Sequence, residues 1–355
     1  MKTGVLLMNT GTADEPTVDA VSSYLREFLM DPAIIGAPAF IRKRIVSHIC
    51  RNRPKRTVAN YKAFWTPEGS PFTIGCCKQA AALQELLRQR AASEDVFVVM
   101  AMRYGNPSVL NGLQELYRAG CERVVILPSY PQQVSVCAGT CIKRAREVMS
   151  QLRRQYGWDP QVIEVPYFYN LDSYRKALAA QVASCWSYTP GAPLVVSFHS
   201  TLVADIEAGD PYRDQAQATA ANLAHDLEIP EDAVSVTYQS RFDSRKWLQP
   251  FTEPAVLEMA ACGVRDVCVV CPIFTVDNME TILEVDRDLR AAFMQAAGAD
   301  ARFTYVPALG YGAGIADALA DAVDKALAGG FDAVCAATGR SADTSIPHML
   351  GNQQH

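Results

Sequence analysis

The stretch CPIFTVDNMETILEVDRD, residues 271–288, places three carboxylates just after an apolar run and a helix-start signal at Asp277. Glu280, Glu284 and Asp288 recur every four residues, and residues four apart share one face of an α-helix. At the α-helical rise they form a line about 12 Å long. Like charges in a row cost stability. A row of hard oxygen ligands suits the binding or passage of a cation. Two plainer readings compete. Asp277 and Glu280 match a capping box, in which Asp277 accepts from the third helical amide and Glu280 reaches back. Glu284 and Asp288 then become a solvated face paired with Arg287 and Arg290.

His199 is the second candidate. It closes the run PLVVSF, at the carboxyl end of a predicted strand, while His48, His225, His348 and His355 lie elsewhere. Strand ends of this kind collect binding and catalytic groups, and a neutral imidazole can accept a proton or ligate a borderline metal. The competing reading is a histidine that satisfies loop backbone groups. The following GDPY, residues 209–212, reads as a turn entering a helix at Asp210 or Pro211.

Segment 34–56, IIGAPAFIRKRIVSHICRNRPKR, interleaves apolar residues with basic ones and has no acid. Such a pattern suits a lip that touches an anionic membrane or a flat apolar anion; an ordinary amphipathic helix with a basic outer face fits as well. Cys268 and Cys271 form a CxxC inside a strand pattern, and Cys137 and Cys141 sit four apart on a predicted helix. Both pairs read as core thiols. GYGAG at 310–314 follows the last strand with no further βαβ unit, which opposes a dinucleotide site.

These residues need a scaffold. Short Val/Ile/Leu runs at 4–8, 96–101, 123–127, 161–165, 193–198, 234–238, 266–271 and 302–306 alternate with amphipathic helical patterns. Near-continuous apolar strands between helices predict parallel sheets covered on both faces. An internal echo favours two sheets over one. Met102–Gln133 and Ser240–Asp277 both read Arg-aromatic, helix, Gly turn, apolar strand, Pro, aromatic. The expected architecture is α/β: two similar Rossmann-like halves, each with a four-stranded parallel sheet, around a cleft. The boundaries fall at 1–160 and 161–310, with a helix at 311–330 packing back across the halves and a tail at 340–355.

The bulk numbers agree. A chain of 355 residues exceeds what one core usually serves. The formal net charge of −5 opposes general nucleic-acid binding. The apolar stretch after Lys2 is too short for a signal peptide, and eleven scattered cysteines read as reduced thiols, so a cytoplasmic location is expected.

Taken in order, LLMNTGTADEPTVDAVSSYLREFLMDP, YKAFWTPEGSP, RYGNP, LPSYPQ, SFHS with GDPY, QSR with WLQP, and VDNMETILE resemble the ferrochelatase family, from Val5 to about Leu327. The resemblance implies insertion of Fe²⁺ into protoporphyrin IX with release of two protons. It implies His199 and Glu280 as catalytic residues working from opposite faces of the ring, with Glu284 and Asp288 continuing the metal-handling line. It implies Ser70, Arg103, Tyr104 and Tyr130 as porphyrin-pocket residues, and Arg51, Arg53 and Lys55 as basic groups near the porphyrin carboxylates. Iron is then a substrate, and no cofactor is required. Some relatives carry a [2Fe-2S] cluster on a tight C-terminal cysteine group; only Cys335 lies in that region here, so no cluster is expected. Three positions depart from the family pattern: Ser200 after the histidine, Asn278, and CPIF in place of a Pro-Gly-Phe pattern. The rival readings are a coproporphyrin-using or other class II chelatase, and a non-catalytic porphyrin or haem carrier. Peripheral contact with an anionic membrane through the lip is a further expectation.

Overall fold

A computed structural model describes residues 1–90, 95–241 and 243–331. The first half runs β1 (Thr3–Asn9), α1 (Val18–Leu29), α2 (Ala39–Phe64), α3 (Pro71–Arg90), β2 (Val96–Met102), α4 (Val109–Arg118) and β3 (Arg123–Pro128). A π-turn at Ser135–Gly139 then leads into α5 (Thr140–Tyr156) and β4 (Gln161–Glu164). The second half runs α6 (Asp172–Cys185), β5 (Leu194–His199), α7 (Val203–Glu207), α8 (Tyr212–Asp226), β6 (Val234–Gln239), α9 (Thr252–Ala261) and β7 (Asp266–Val270). A π-helix at Glu280–Leu289 leads into α10 (Arg290–Ala297), then β8 (Arg302–Val306) and α11 (Ala313–Leu327).

The strands form two four-stranded parallel sheets, ordered β2-β1-β3-β4 and β6-β5-β7-β8. Every residue of β1 is buried, and β3, β5 and β7 are nearly so, because helices cover both faces of each sheet. The helices meet the sheets through narrow apolar stripes. In α4 these are Val109, Gly112, Leu113 and Leu116, and Ser108 caps the helix by accepting from the Asn111 N–H at 3.2 Å. Truncating a fully buried residue such as Leu113 to Ala would cost about 2–5 kcal/mol.

Three boundaries differ from the sequence reading. Residues 161–164 pair with β3, so the first sheet closes only after Glu164, not at residue 160. The lip is one helix running on to Phe64, with Pro54 inside it. The echo corresponds to a repeated strand order, but in another register. Parallel bridges Met102–Ser108 and Tyr238–Phe251 align Met102 with Tyr238, and so Arg103 with Gln239 rather than with Arg241. Those strands pair Met102 with Asn9 and Tyr238 with Phe198. The residue after each is therefore equivalent: Thr10 in the first half, His199 in the second. The tail at 340–355 and Cys335 lie outside the described residues.

A buried polar seam joins the halves where β3 and β7 end. Thr275 Oγ1 is 2.7 Å from Ser129 Oγ and donates to the Ser129 carbonyl at 3.1 Å. Ser129 Oγ donates to Gln79 Oε1 at 2.6 Å, and Gln79 Nε2 donates to the Gly310 carbonyl at 2.7 Å. α11 packs on both α3 and α6, and Arg90 of α3 reaches Asp317, Asp321 and Asp324 on it.

Candidate active site

β5 delivers His199 to the cleft. Its Nδ1 lies 2.7 Å from the Ser200 carbonyl oxygen. A carbonyl only accepts, so Nδ1 carries the proton, and in the neutral ring Nε2 is left with its lone pair. Nε2 faces Glu280 Oε1 at 3.9 Å, with 17% and 32% of the two side chains accessible. The His199 backbone is fixed in turn by the buried Tyr212, whose hydroxyl donates to its carbonyl at 2.9 Å.

That distance corrects the opposed-face expectation. A flat ring held between two groups needs van der Waals contact on both sides, roughly 7 Å in all. At 3.9 Å His199 and Glu280 leave no room for a ring between them.

Glu280 opens the π-helix, not an α-helix, and the expected capping box is displaced by one residue. Asn278 Oδ1 accepts from the N–H groups of Glu280 at 2.8 Å and Thr281 at 3.1 Å, and Thr281 Oγ1 accepts from Asn278 N–H at 2.9 Å. Asn278, one of the departures from the family pattern, is thus the cap, and Glu280 is released to face the cleft. Asp277 Oδ1 instead accepts from Tyr305 Oη at 2.5 Å, Thr281 Oγ1 at 3.0 Å and the Ala308 N–H at 3.2 Å. It ties the helix start to β8.

Along the helix, Glu284 accepts from Ser240 Oγ at 3.0 Å. Ser240 adopts φ 61°, a left-handed conformation unusual for a residue with a Cβ, as it makes that contact. Glu284 keeps solvent contact, yet the surrounding walls desolvate it. Its carboxyl is pushed above the ordinary range by desolvation first and then by the charge of Glu280, while Ser240 and His199 pull the other way. Asp288 is exposed and held by Arg287 at 2.7 and 3.0 Å, which lowers its pKa. Arg290 turns to Asp286 instead. The solvated-pair reading therefore holds for Asp288 and not for Glu284. Among the described residues no three His, Cys, Asp or Glu side chains are arranged to hold a metal ion. Glu280, Glu284 and Asp288 are spread along the helix, with His199 beside Glu280 at the end of β5, and the four are not one coordination sphere.

The expected pocket residues fare unevenly. Ser70 is buried and caps α3, accepting from Thr73 N–H at 3.3 Å. Tyr130 is 4% exposed and its hydroxyl is fully engaged: it donates to Asn9 Oδ1 at 2.7 Å, accepts from Thr10 N–H at 3.1 Å and contacts Thr10 Oγ1. Tyr104 is 1% exposed and donates to Asp31 Oδ2 at 2.9 Å; Arg103 stacks over its ring and pairs with the same carboxylate. These three hydroxyls are structural. Arg103 keeps a small accessible surface and an Nε without a partner. Arg51, Arg53 and Lys55 stand exposed on α2, whereas Arg42 folds back onto the Ile35 and Ala37 carbonyls.

Other groups near the pair carried little sequence signal. Tyr24 of α1 donates to the Gly11 carbonyl at 3.0 Å and lies in the field of Glu280. Gly11 is required there: with φ +102°, an added Cβ would stand 1.9 Å from the Tyr104 carbonyl oxygen. Cys137 lies in the first π-turn against Thr10, with burial pushing its thiol up and Glu280 adding to the shift. Counted without a gap from the equivalent strands, Cys137 and Cys141 occupy the places that Glu280 and Glu284 hold in the other half. A separate groove of about 710 Å³ runs along the free edge of β4, between Arg153 and Phe331, and contains none of these groups.

A family model for ferrochelatase matches residues 2–327. The chain belongs to the ferrochelatase family. Proteins named ferrochelatase from Bordetella pertussis and a Polaromonas species are each 38% identical to it, over 331 and 335 residues. The matches cover 92% of this chain in both cases, and 89% and 88% of the relatives. Ferrochelatases are lyases of haem biosynthesis that insert metal into a porphyrin. Among solved structures, Bacillus subtilis SirB with Fe³⁺ superposes with a TM-score of 0.53 over 93% of this chain and 97% of that one, at 13% identity. A second SirB structure, a sirohydrochlorin chelatase in complex with cobalt, gives 0.51 at 12% identity. These likenesses speak for the fold: two Rossmann-like halves facing one cleft.

Proposed function

We propose that this ferrochelatase inserts Fe²⁺ into protoporphyrin IX, and that His199 and Glu280 act as one proton-accepting pair on one face of the ring. The observation that carries the pairing is the imidazole fixed through Nδ1 with Nε2 turned toward Glu280 at 3.9 Å. Nε2 takes a proton as a pyrrole N–H bond breaks, and the imidazolium so formed is stabilised by the Glu280 carboxylate. The imidazolium passes this proton to Glu280 and regains its lone pair, and a second round at the other N–H leaves a dianionic porphyrin core whose charge Fe²⁺ neutralises. Glu284, with its raised carboxyl, is the next acceptor outward, and Asp288 at the surface releases protons to solvent. Fe²⁺ is a substrate in this scheme, with no resident cofactor taking part.

Rigid halves joined by the Ser129–Thr275 seam support bending of the bound ring, which exposes the nitrogen lone pairs. Arg51, Arg53 and Lys55 on the exposed side of α2 provide cations for the ring's carboxylates. Phe40, 71% exposed, and Ile45, 38% exposed, stand among Lys43 and Arg44 at the start of α2. That mixture fits peripheral contact of a cytoplasmic enzyme with an anionic membrane; no helix of the described residues is long and apolar enough to cross one.

The deciding experiment is metal insertion by the purified protein, with Fe²⁺ or Zn²⁺, into protoporphyrin IX and coproporphyrin III in parallel. Preference for protoporphyrin and loss of turnover in His199→Ala are expected. Faster use of coproporphyrin would replace the substrate, and full activity of His199→Ala would remove the assigned base.

A further inference from the structure

The carboxylate of Asp210 lies between two helix N-termini, one from each half. Oδ2 accepts from the Ser135 N–H at 2.8 Å, where the π-turn ahead of α5 begins. Oδ1 accepts from the Tyr212 N–H at 3.0 Å, where α8 begins. Asp210 is only 6% exposed. Helix N-termini supply both unpaired N–H groups and a favourable field for an anion, so a carboxylate is the one small side chain that satisfies both at once. The chain continues from this bridge directly to the active site: Tyr212 Oη donates to the His199 carbonyl at 2.9 Å. On the other side, the tethered π-turn carries Cys137, the counterpart of Glu280, against Thr10.

We propose that Asp210 is a positioning residue for metal insertion: its carboxylate fixes the π-turn of the first half relative to the strand end that carries His199. It touches no substrate. It sets the spacing between that π-turn and the end of β5. Neighbouring contacts, Gln133 N–H to Gln215 Oε1 at 2.7 Å and Gln132 Nε2 to Thr219 Oγ1 at 2.9 Å, also tie the loop before the π-turn to α8. Neither of these leads on to His199.

Two substitutions isolate the bridge. In Asp210→Asn one oxygen becomes an NH₂ group, which can serve only one of the two N–H donors and opposes the other. Ser135→Pro breaks the bridge from the π-turn side: it removes the cross-half donor and sets the ring methylene against Asp210 Oδ2, which must move away. The backbone accepts it, because proline is tolerated at the first helical position and Val134 before it already has φ −139° and ψ 127°, so the displacement falls on the Asp210 carboxylate. The inference rests on His199 being a working group of the cleft, so His199→Ala is run beside them. Zn²⁺ insertion into protoporphyrin is followed by fluorescence. Each single variant is expected to lower kcat about tenfold, the loss of one hydrogen bond to a charged group, with the porphyrin KM within about twofold. The double variant is expected to be no slower than the worse single. Amide exchange at residues 136–139 should quicken in Asp210→Asn, a readout independent of turnover. Wild-type kcat in Ser135→Pro, multiplied losses in the double variant, or faster exchange without any change in kcat overturns the proposal. If Asp210→Asn does not fold, Ser135→Pro alone decides. Full activity of His199→Ala would remove the base assignment, while the exchange data would still report on the bridge.

Discussion

Glu280→Gln tests the pairing most directly. The carboxylate oxygen lies 3.9 Å from His199 Nε2, and both side chains are largely shielded from solvent. Two opposite unit charges about 4 Å apart attract by roughly 4 kcal/mol at an effective dielectric constant near 20, and by roughly 1 kcal/mol in bulk water. The shielding favours the upper part of that range. Glutamine keeps the shape and loses the charge, so the imidazolium formed during proton uptake loses about 3–4 kcal/mol of stabilisation. At 1.36 kcal/mol per factor of ten, kcat should fall about 10²–10³-fold. Asp288 behaves differently. It is 59% accessible and already paired with Arg287, and a surface pair is worth about 0–1 kcal/mol, so Asp288→Asn should stay within about threefold of wild type. Glu284→Gln should fall between them. Steady-state Zn²⁺ insertion into protoporphyrin, with circular dichroism to verify folding, provides the comparison. Turnover of Glu280→Gln within threefold of wild type, or Asp288→Asn as damaging as Glu280→Gln, would refute the electrostatic argument.

Other consequences are accessible to standard measurements. Thr275→Val deletes the hydroxyl that serves two Ser129 oxygens inside the seam; urea unfolding should report a loss of about 1–3 kcal/mol, non-additive with Ser129→Ala. Glu284→Gln should also stabilise the protein at neutral pH. The raised carboxyl of Glu284 means that the fold disfavours its ionised form. This destabilisation is absent where both folded and unfolded states are protonated, below the usual glutamate pKa of about 4.3. It grows as pH rises through the folded value and persists above it, so the melting temperatures of wild type and variant should diverge upward from acid pH. Parallel curves at all pH values would count against it. Neutralising Lys43 and Arg44 together should weaken binding to phosphatidylserine vesicles at low salt, while Asp19→Asn on α1 should not; equal binding would dismiss the lip as a membrane contact.

The scaffold was legible because parallel strands buried on both faces must be apolar throughout, and β1, β3, β5 and β7 are written that way. His199 was legible because a strand ends there. Spacing alone could not separate an α-helix from a π-helix at Glu280, since both bring residues about four apart onto neighbouring positions. It could not choose Asn278 over Asp277 as the cap, because the two residue types cap equally well. The full length of α2 was hidden by Pro54 and by basic residues on several sides. Tyr24, Cys137 and Asp210 are brought near the pair by tertiary packing between segments far apart in sequence, and local pattern does not record that. The buried hydroxyls of Ser70, Tyr104 and Tyr130 show the reverse: motif residues beside a cleft can support its wall without facing into it.

The repeated strand order has a consequence for direction. Two half-domains of one strand order would, if identical, offer a planar guest the same chemistry from each half. Here the matching places are filled by unlike residues: Thr10 against His199, Cys137 against Glu280, Cys141 against Glu284. One half places carboxylates at these positions, and the other places thiols that burial holds protonated. In the proposed cycle, protons leaving the ring find their acceptors on the carboxylate side only, and the buried thiols at the matching places offer none.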